Sequence, residues 1–340
     1  MEPRGTMMAS LQGQRRGLGS GIRRLYLLLG GGVAVLVVLS LLAGPAGFGF
    51  PSGEAGRLIF TEIRLPRTLL AALTGAALAL AGAVLQGYLR NPLAEPGIIG
   101  ISSGAGLGAV LAIHTGVSAT FALALPLGGL AGATVATLTV LALAGERGGA
   151  LTLILAGVAV SSVATALISL TLSLSANPFA AVEIVFWLLG SLADRSMTHV
   201  WLAGPLMLAG VAILLMLGPS LDALTLGEDA AQNLGIDLTR VRLLVVGGTA
   251  LAVGAATAIV GTIAFVGLVV PHVLRPLVGH TPSRLLPASL LGGAALVLAS
   301  DIALRLVTPG GELRLGVLTA LMGAPFFLWL VLKTRAELLP

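Results

Sequence analysis

The chain has 340 residues, of which 56% are hydrophobic and only 10% charged, with 14 acids, 19 bases and a formal net charge of +5. A water-soluble domain carries about a quarter charged residues, so a soluble fold is excluded and the solvent for most of this chain is a bilayer. The absence of cysteine excludes disulfides, thiolate metal sites and cysteine nucleophiles, while 47 glycines fit a membrane bundle whose small residues let helix backbones approach closely.

In chain order, Arg15, Arg16, Arg23 and Arg24 precede an apolar run from Tyr26 to Gly44. A secretory signal has a shorter apolar core, about 7–15 residues. The run therefore reads as a first membrane helix after a cytoplasmic tail over 1–24. Stretches free of Asp, Glu, Lys and Arg then recur at 68–89, 96–145, 148–182, 196–221, 243–274, 285–300 and 315–332. As one helix, 243–274 would be about 48 Å long, against roughly 30 Å of hydrocarbon. Gly261 and Gly267 offer a break there, and Gly116–Ser118 and Pro126 interrupt 96–145. The expectation is an all-α membrane protein with one domain over 25–335 and ten spans. These fall near 25–44, 67–88, 98–115, 120–144, 150–173, 199–218, 241–261, 264–279, 285–306 and 315–333.

An even number of spans puts both termini on one side. With the termini in the cytoplasm, 13 basic residues fall inside, among them Arg4, Arg147 and Arg335. The outer set is Arg57, Arg64, Arg67, Arg195, Arg305 and Arg314. This is the bias that orients membrane proteins. Two connections are long. Residues 174–198, outside, hold an amphipathic piece at 182–192. Residues 219–240, inside, place Leu224, Leu226, Ala230, Ala231 and Leu234 near one helical face. Asp222 is expected to cap one short helix there and Gly235 to end the next. The four acids of this loop favour a docking surface for another protein, with a helix lying on the membrane interface as the alternative.

No G-x-x-x-x-G-K-[ST] phosphate loop is present. Gly104, Gly106 and Gly108, and the pair Gly128 and Gly132, read as helix packing. His114, His199, His272 and His280 lie near helix ends without an i, i+4 partner, so neither a metal site nor a catalytic group is expected. Asp301 is the one acid well inside a span. Such carboxylates are candidates for proton or ion coupling, but Arg305 lies one turn on and can neutralise it. Arg64-Leu-Pro-Arg67 opens the second span. Its two arginines either present a forked patch for carboxylates or anchor the helix at the interface. Asn91-Pro92-Leu-Ala-Glu95-Pro96 is a tight turn.

Five segments taken together resemble the FecCD/BtuC-like permease family of type II ABC importers. They are RLPRTLLAALTGAALALAGAVLQGYLRNPLAEPGIIGISSGAGLGA, LTLGEDAAQNLGI, GTIAFVGLVVPHVLR, SDIALRL and ELRLGVLTALMGAPFFLWLV, from about Arg64 to Val331. The resemblance implies a ten-span permease of the bacterial inner membrane that works as a homodimer. A periplasmic substrate-binding protein would dock outside and two ATP-binding cassette subunits inside. ATP and magnesium would sit on those subunits, and this chain would carry no cofactor. The coupling helices of the family match 222–237, with Leu226, Gly227, Glu228, Ala231, Leu234 and Gly235 at the motif positions. Its outer docking arginines match Arg64, Arg67 and Arg305, or the neighbouring Arg314. The inner gate falls near Ala150–Thr152. Glu312-Leu-Arg314-Leu departs from the family, where many relatives carry proline after Glu-Leu. Family cargoes are ferric siderophores, haem and cobalamin, and the siderophore is the expected one. The rival reading is a proton- or ion-coupled transporter working through Asp301. An intramembrane enzyme ranks last, for want of a Ser–His, paired-Asp or metal constellation.

Overall fold

The computed structural model describes residues 4–44, 47–49, 52–145, 148–307 and 313–338, with side chains between Ser20 and Lys333. Arg147 and Glu312, and the side chains of Arg4, Arg15, Arg16 and Arg335, lie outside the described residues.

Thirteen helices of six residues or more carry the described chain, with shorter turns such as Val117–Thr120 between them. They are α1 (Arg4–Leu42), α2 (Gly53–Tyr88), α3 (Ile101–His114), α4 (Ala124–Ala144), α5 (Ala150–Ser173), α6 (Pro178–Leu188) and α7 (Met197–Leu215). After them come α8 (Gly218–Leu224), α9 (Glu228–Asn233), α10 (Leu238–Val260), α11 (Val266–Leu274), α12 (Pro282–Val307) and α13 (Leu315–Leu338). A two-residue strand pair, Ala43–Gly44 with Gly47–Phe48, follows α1. Eight helices are long and apolar enough to cross a membrane. The remaining two expected spans correspond to α3 and α11, which are shorter than a full crossing. The first helix is continuous back to Arg4, through the segment expected as a tail.

Close backbone approach sets the packing. α2 is the most enclosed, with 83% of its membrane-length window buried against 6% for α1. It can be enclosed because it presents glycine to its neighbours. A Cβ on Gly75 would lie 2.1 Å from the Gly293 oxygen of α12, and one on Gly82 1.9 Å from the Gly267 oxygen of α11. The glycines of α3 and α4 interlock as expected: a Cβ on Gly108 would lie 2.0 Å from the Gly128 oxygen, and one on Gly132 2.1 Å from the Gly104 oxygen. In lipid, where apolar side chains gain nothing by meeting each other, such contacts and interhelical hydrogen bonds hold the bundle.

The break in 243–274 falls at Gly261, which has φ +75°. Gly267 does not break the chain; it sits in the first turn of α11, against Gly82 and Pro96. α11 is therefore only nine residues, about 13 Å of helix. The outer connection also differs from expectation. Its helix begins at Pro178, capped by Asn177, and buries Ile184 and Trp187 while Phe179, Val182, Val185 and Phe186 face outward.

Candidate functional site

Three polar assemblies stand out, one at each end of the bundle and one inside it. At the first end, Asp301 on α12 is 1% exposed and lies between two arginines. Arg67 donates from Nε and Nη2 to Oδ1 at 2.9 and 2.7 Å. Arg305 donates from Nε to Oδ2 at 2.9 Å and also from Nη2. It further binds the Ser40 carbonyl at 2.8 Å and the Ser40 hydroxyl at 2.6 Å, and that hydroxyl bonds Thr68 at 2.7 Å. Arg64 turns back to the end of α1, where its Nη1 donates to the carbonyls of Leu41, Leu42 and Gly49. Arg64 and Arg305 thus serve carbonyls that the end of α1 would leave unpaired. The Asp301–Arg305 pair is legible in the sequence; Arg67, 234 positions away, is not. A cavity of about 310 Å³ opens over Arg64, Arg67 and Arg305, and its far wall is Ser191–Ala193 with Leu313 and Leu315.

Beyond that wall lie Arg195 and Arg314. Arg314 stacks over the Phe186 ring at 4.8 Å. The Nε atoms of both arginines are buried with no hydrogen-bond partner. Burial pulls the Arg195 guanidinium below the usual arginine range; Asp194 opposes this and Arg314 adds repulsion. Arginine keeps its proton in proteins, so the penalty persists as an unpaired charge. Of the four candidate outer arginines, the structure brings Arg64, Arg67 and Arg305 together and sets Arg314 with Arg195.

At the opposite end, α8 and α9 form a short helical hairpin. Gly227 and Gly235 have φ +105° and +85°, values that favour glycine. Ile236 N donates to the Ala231 carbonyl, closing α9 where expected. Asp222 does not cap a short helix. It sits within α8 and accepts from Ser283 N at the start of α12, at 2.8 Å. Asp237 is the cap actually used, accepting from Thr239 N and Arg240 N at the start of α10. The expected single apolar face is divided. Leu224 and Ala231 are buried, while Leu226 and Leu234 are 68% and 64% exposed. Glu228 meets Arg90 across the hairpin base at 3.9 Å. Beside it, Arg242 of α10 donates to the Gly148 carbonyl just before α5, next to the segment expected as a gate.

The third assembly joins the 91–96 turn to α11. Gln86 on α2 is buried. Its Nε2 donates to the Ala94 and Gly267 carbonyls at 3.3 Å, and its Oε1 accepts from Arg275. Glu95 accepts from Phe265 N, the residue before α11, whose φ is +68°. A carboxylate thus receives the first free N–H of a broken helix. Sequence reading took 91–96 for turn geometry alone; the residue that gives it a further task lies 170 positions away. Among the described residues, no group of three or more His, Asp or Glu could hold a metal ion.

The model of the FecCD transport family matches residues 24–333. The chain belongs to the FecCD transport family. Members that resemble it closely include the vitamin B12 import system permease proteins BtuC of Klebsiella pneumoniae subsp. pneumoniae, Salmonella paratyphi A and Escherichia coli O9:H4. The first is 40% identical over 308 residues, covering 89% of this chain and 92% of the relative. The other two are equally identical, over 89% and 88% of this chain and 93% and 92% of the relatives. A solved structure described as an inward-facing conformation of a metal-chelate type ABC transporter superposes with a TM-score of 0.81. It is 35% identical and matches over 92% of this chain and 99% of that one. This FecCD-family chain is thus a multi-pass permease subunit of an ABC importer.

Proposed function

We propose that the chain translocates cobalamin across the bacterial inner membrane, as one half of a homodimer with both termini in the cytoplasm. Similarity to vitamin B12 permeases over most of the chain supports this cargo and moves it ahead of the ferric siderophore that the sequence pattern favours. Two ATP-binding cassette subunits dock on the α8–α9 hairpin through Leu226, Gly227, Glu228, Ala231, Leu234 and Gly235. A substrate-binding protein docks at the opposite end over Arg64, Arg67 and Arg305. ATP and magnesium act on the cassette subunits and not here.

The observation that carries this reading is the exposure of Leu226 and Leu234 on a hairpin that buries Leu221, Leu224 and Ala231. Apolar side chains held outward by a rigid scaffold suit a protein partner. Closure of the cassette dimer would move α8 and α9. α9 meets Arg90 at the end of α2 through Glu228, and α8 holds the start of α12 through Asp222. Against coupling through Asp301 stands its geometry: both carboxylate oxygens already accept from guanidinium N–H groups of Arg67 and Arg305.

The test is reconstitution in liposomes with the cassette subunit and the binding protein. Uptake of cobalamin is expected to require all three proteins and ATP. Leu226→Glu with Leu234→Glu is expected to abolish cassette binding and uptake while leaving the purified permease monodisperse. Uptake driven by an ion gradient without ATP would overturn the reading.

A further inference from the structure

We propose that Arg195 and Arg314 form a binding site for an anionic group, carboxylate or phosphate, on the solute that passes this permease. The site is built and rigid. Three backbone segments converge on it: 189–191, 260–262 and 314–316. Ser191 N donates to the Val260 carbonyl at 2.7 Å and Gly316 N to the Leu189 carbonyl at 3.1 Å. The segments meet so closely that a Cβ on Gly190 would lie 2.4 Å from the Thr262 oxygen. One on Gly316 would lie 2.3 Å from the Leu189 oxygen. Arg314 is therefore carried on backbone that cannot relax away from the other segments, and Arg195 follows a few residues after the first of them.

Held in this way, they meet no counter-charge among the described residues. Among the described residues, neither side chain donates a hydrogen bond or makes an ion pair, and both Nε atoms are buried without an acceptor. The acid acting on Arg195 is its exposed neighbour Asp194, which is too far for an ion pair. His199, one turn into α7, spends its Nδ1 on Ser196 and offers no compensating charge. Desolvated, unpaired cations are unfavourable in a resting protein, and guanidiniums present the fork that carboxylate and phosphate oxygens match. The contrast with Arg67 and Arg305 is direct, since those two share Asp301.

The surroundings indicate what carries the anion. Phe186, under Arg314, is 45% exposed. A ligand with an apolar body and one charged group can rest on the ring while its oxygens reach the guanidiniums. The inference rests on the importer reading above, and cobalamin meets the requirement because its nucleotide loop holds a phosphodiester on a large apolar-faced ring.

The experiment uses the complete transporter with its cassette subunit and binding protein in liposomes. ATP-dependent uptake by the wild type tests the importer reading. The arginine pair is tested by the ratio of uptake rates for cobalamin and for the same corrinoid truncated before the phosphate. In Arg195→Gln with Arg314→Gln the ratio is expected to fall about tenfold, the loss of one hydrogen bond to a charged group. Arg195→Lys with Arg314→Lys is expected to keep part of it. An unchanged ratio in the glutamine variant would overturn the site. So would weaker docking of the binding protein, which would assign the arginines to a carboxylate of that partner.

Discussion

Two arginine pairs stand on either side of one wall at the same end of the bundle. Arg67 and Arg305 reach Asp301 from two helices and saturate it, and Arg305 also takes up the carbonyl at the end of α1. Arg195 and Arg314 have no acid between them among the described residues, and their Nε atoms remain buried and bare. The residue type and the depth are alike; the difference is one carboxylate. A closed cluster is part of the architecture, and losing a member leaves buried charge behind. An open cluster is held by backbone and by the stacking of Arg314 on Phe186, and its charge is available to something that arrives.

The difference can be broken most sharply at Asp301. Asp301→Ala leaves two guanidiniums facing each other, and a broken buried pair costs about 3–5 kcal/mol. Thermal melting of the purified permease in detergent is expected to drop by many degrees or the protein to be lost. A melting curve like the wild type would return Asp301 to a coupling role. Glu95 offers an intermediate case, a carboxylate satisfied by one main-chain N–H. Glu95→Ala strands the Phe265 N–H and is expected to cost about 1–3 kcal/mol. Glu95→Gln, which keeps an acceptor, should recover most of it in the same assay. The open pair should respond least. Arg195→Gln or Arg314→Gln removes a buried, unpaired charge, so stability is expected to hold or to rise. A large loss of melting temperature there would mean that the pair is structural after all.

Much of the fold was legible because lipid writes its constraint into composition. Long stretches without charge could only be spans, and their lengths bounded where they end. Gly261 declared the break in the longest apolar stretch, since a positive φ with close packing on both sides admits glycine best. The glycine pairs of α3 and α4 announced close approach for the same reason. Local signals misled where the partner was distant. Asp222 has the residue type of a cap and is one, but for α12 and not for its own neighbour. Leu226 and Leu234 follow the same helical pattern as Leu224 and Ala231, yet the turn at Gly227 sends them outward.

What the sequence determined alone was the solvent, the helical class, the rough limits of most crossings, and the Asp301–Arg305 pair, all set by local spacing or by total apolar content. The tertiary structure decided which charges are satisfied. Arg67 meets Asp301 across 234 positions and Glu95 meets Phe265 across 170. Arg195 and Arg314 come together with no acid paired to either among the described residues. Electrostatic energy in a desolvated interior depends on separations of a few ångströms, and those separations are fixed only when the helices have packed.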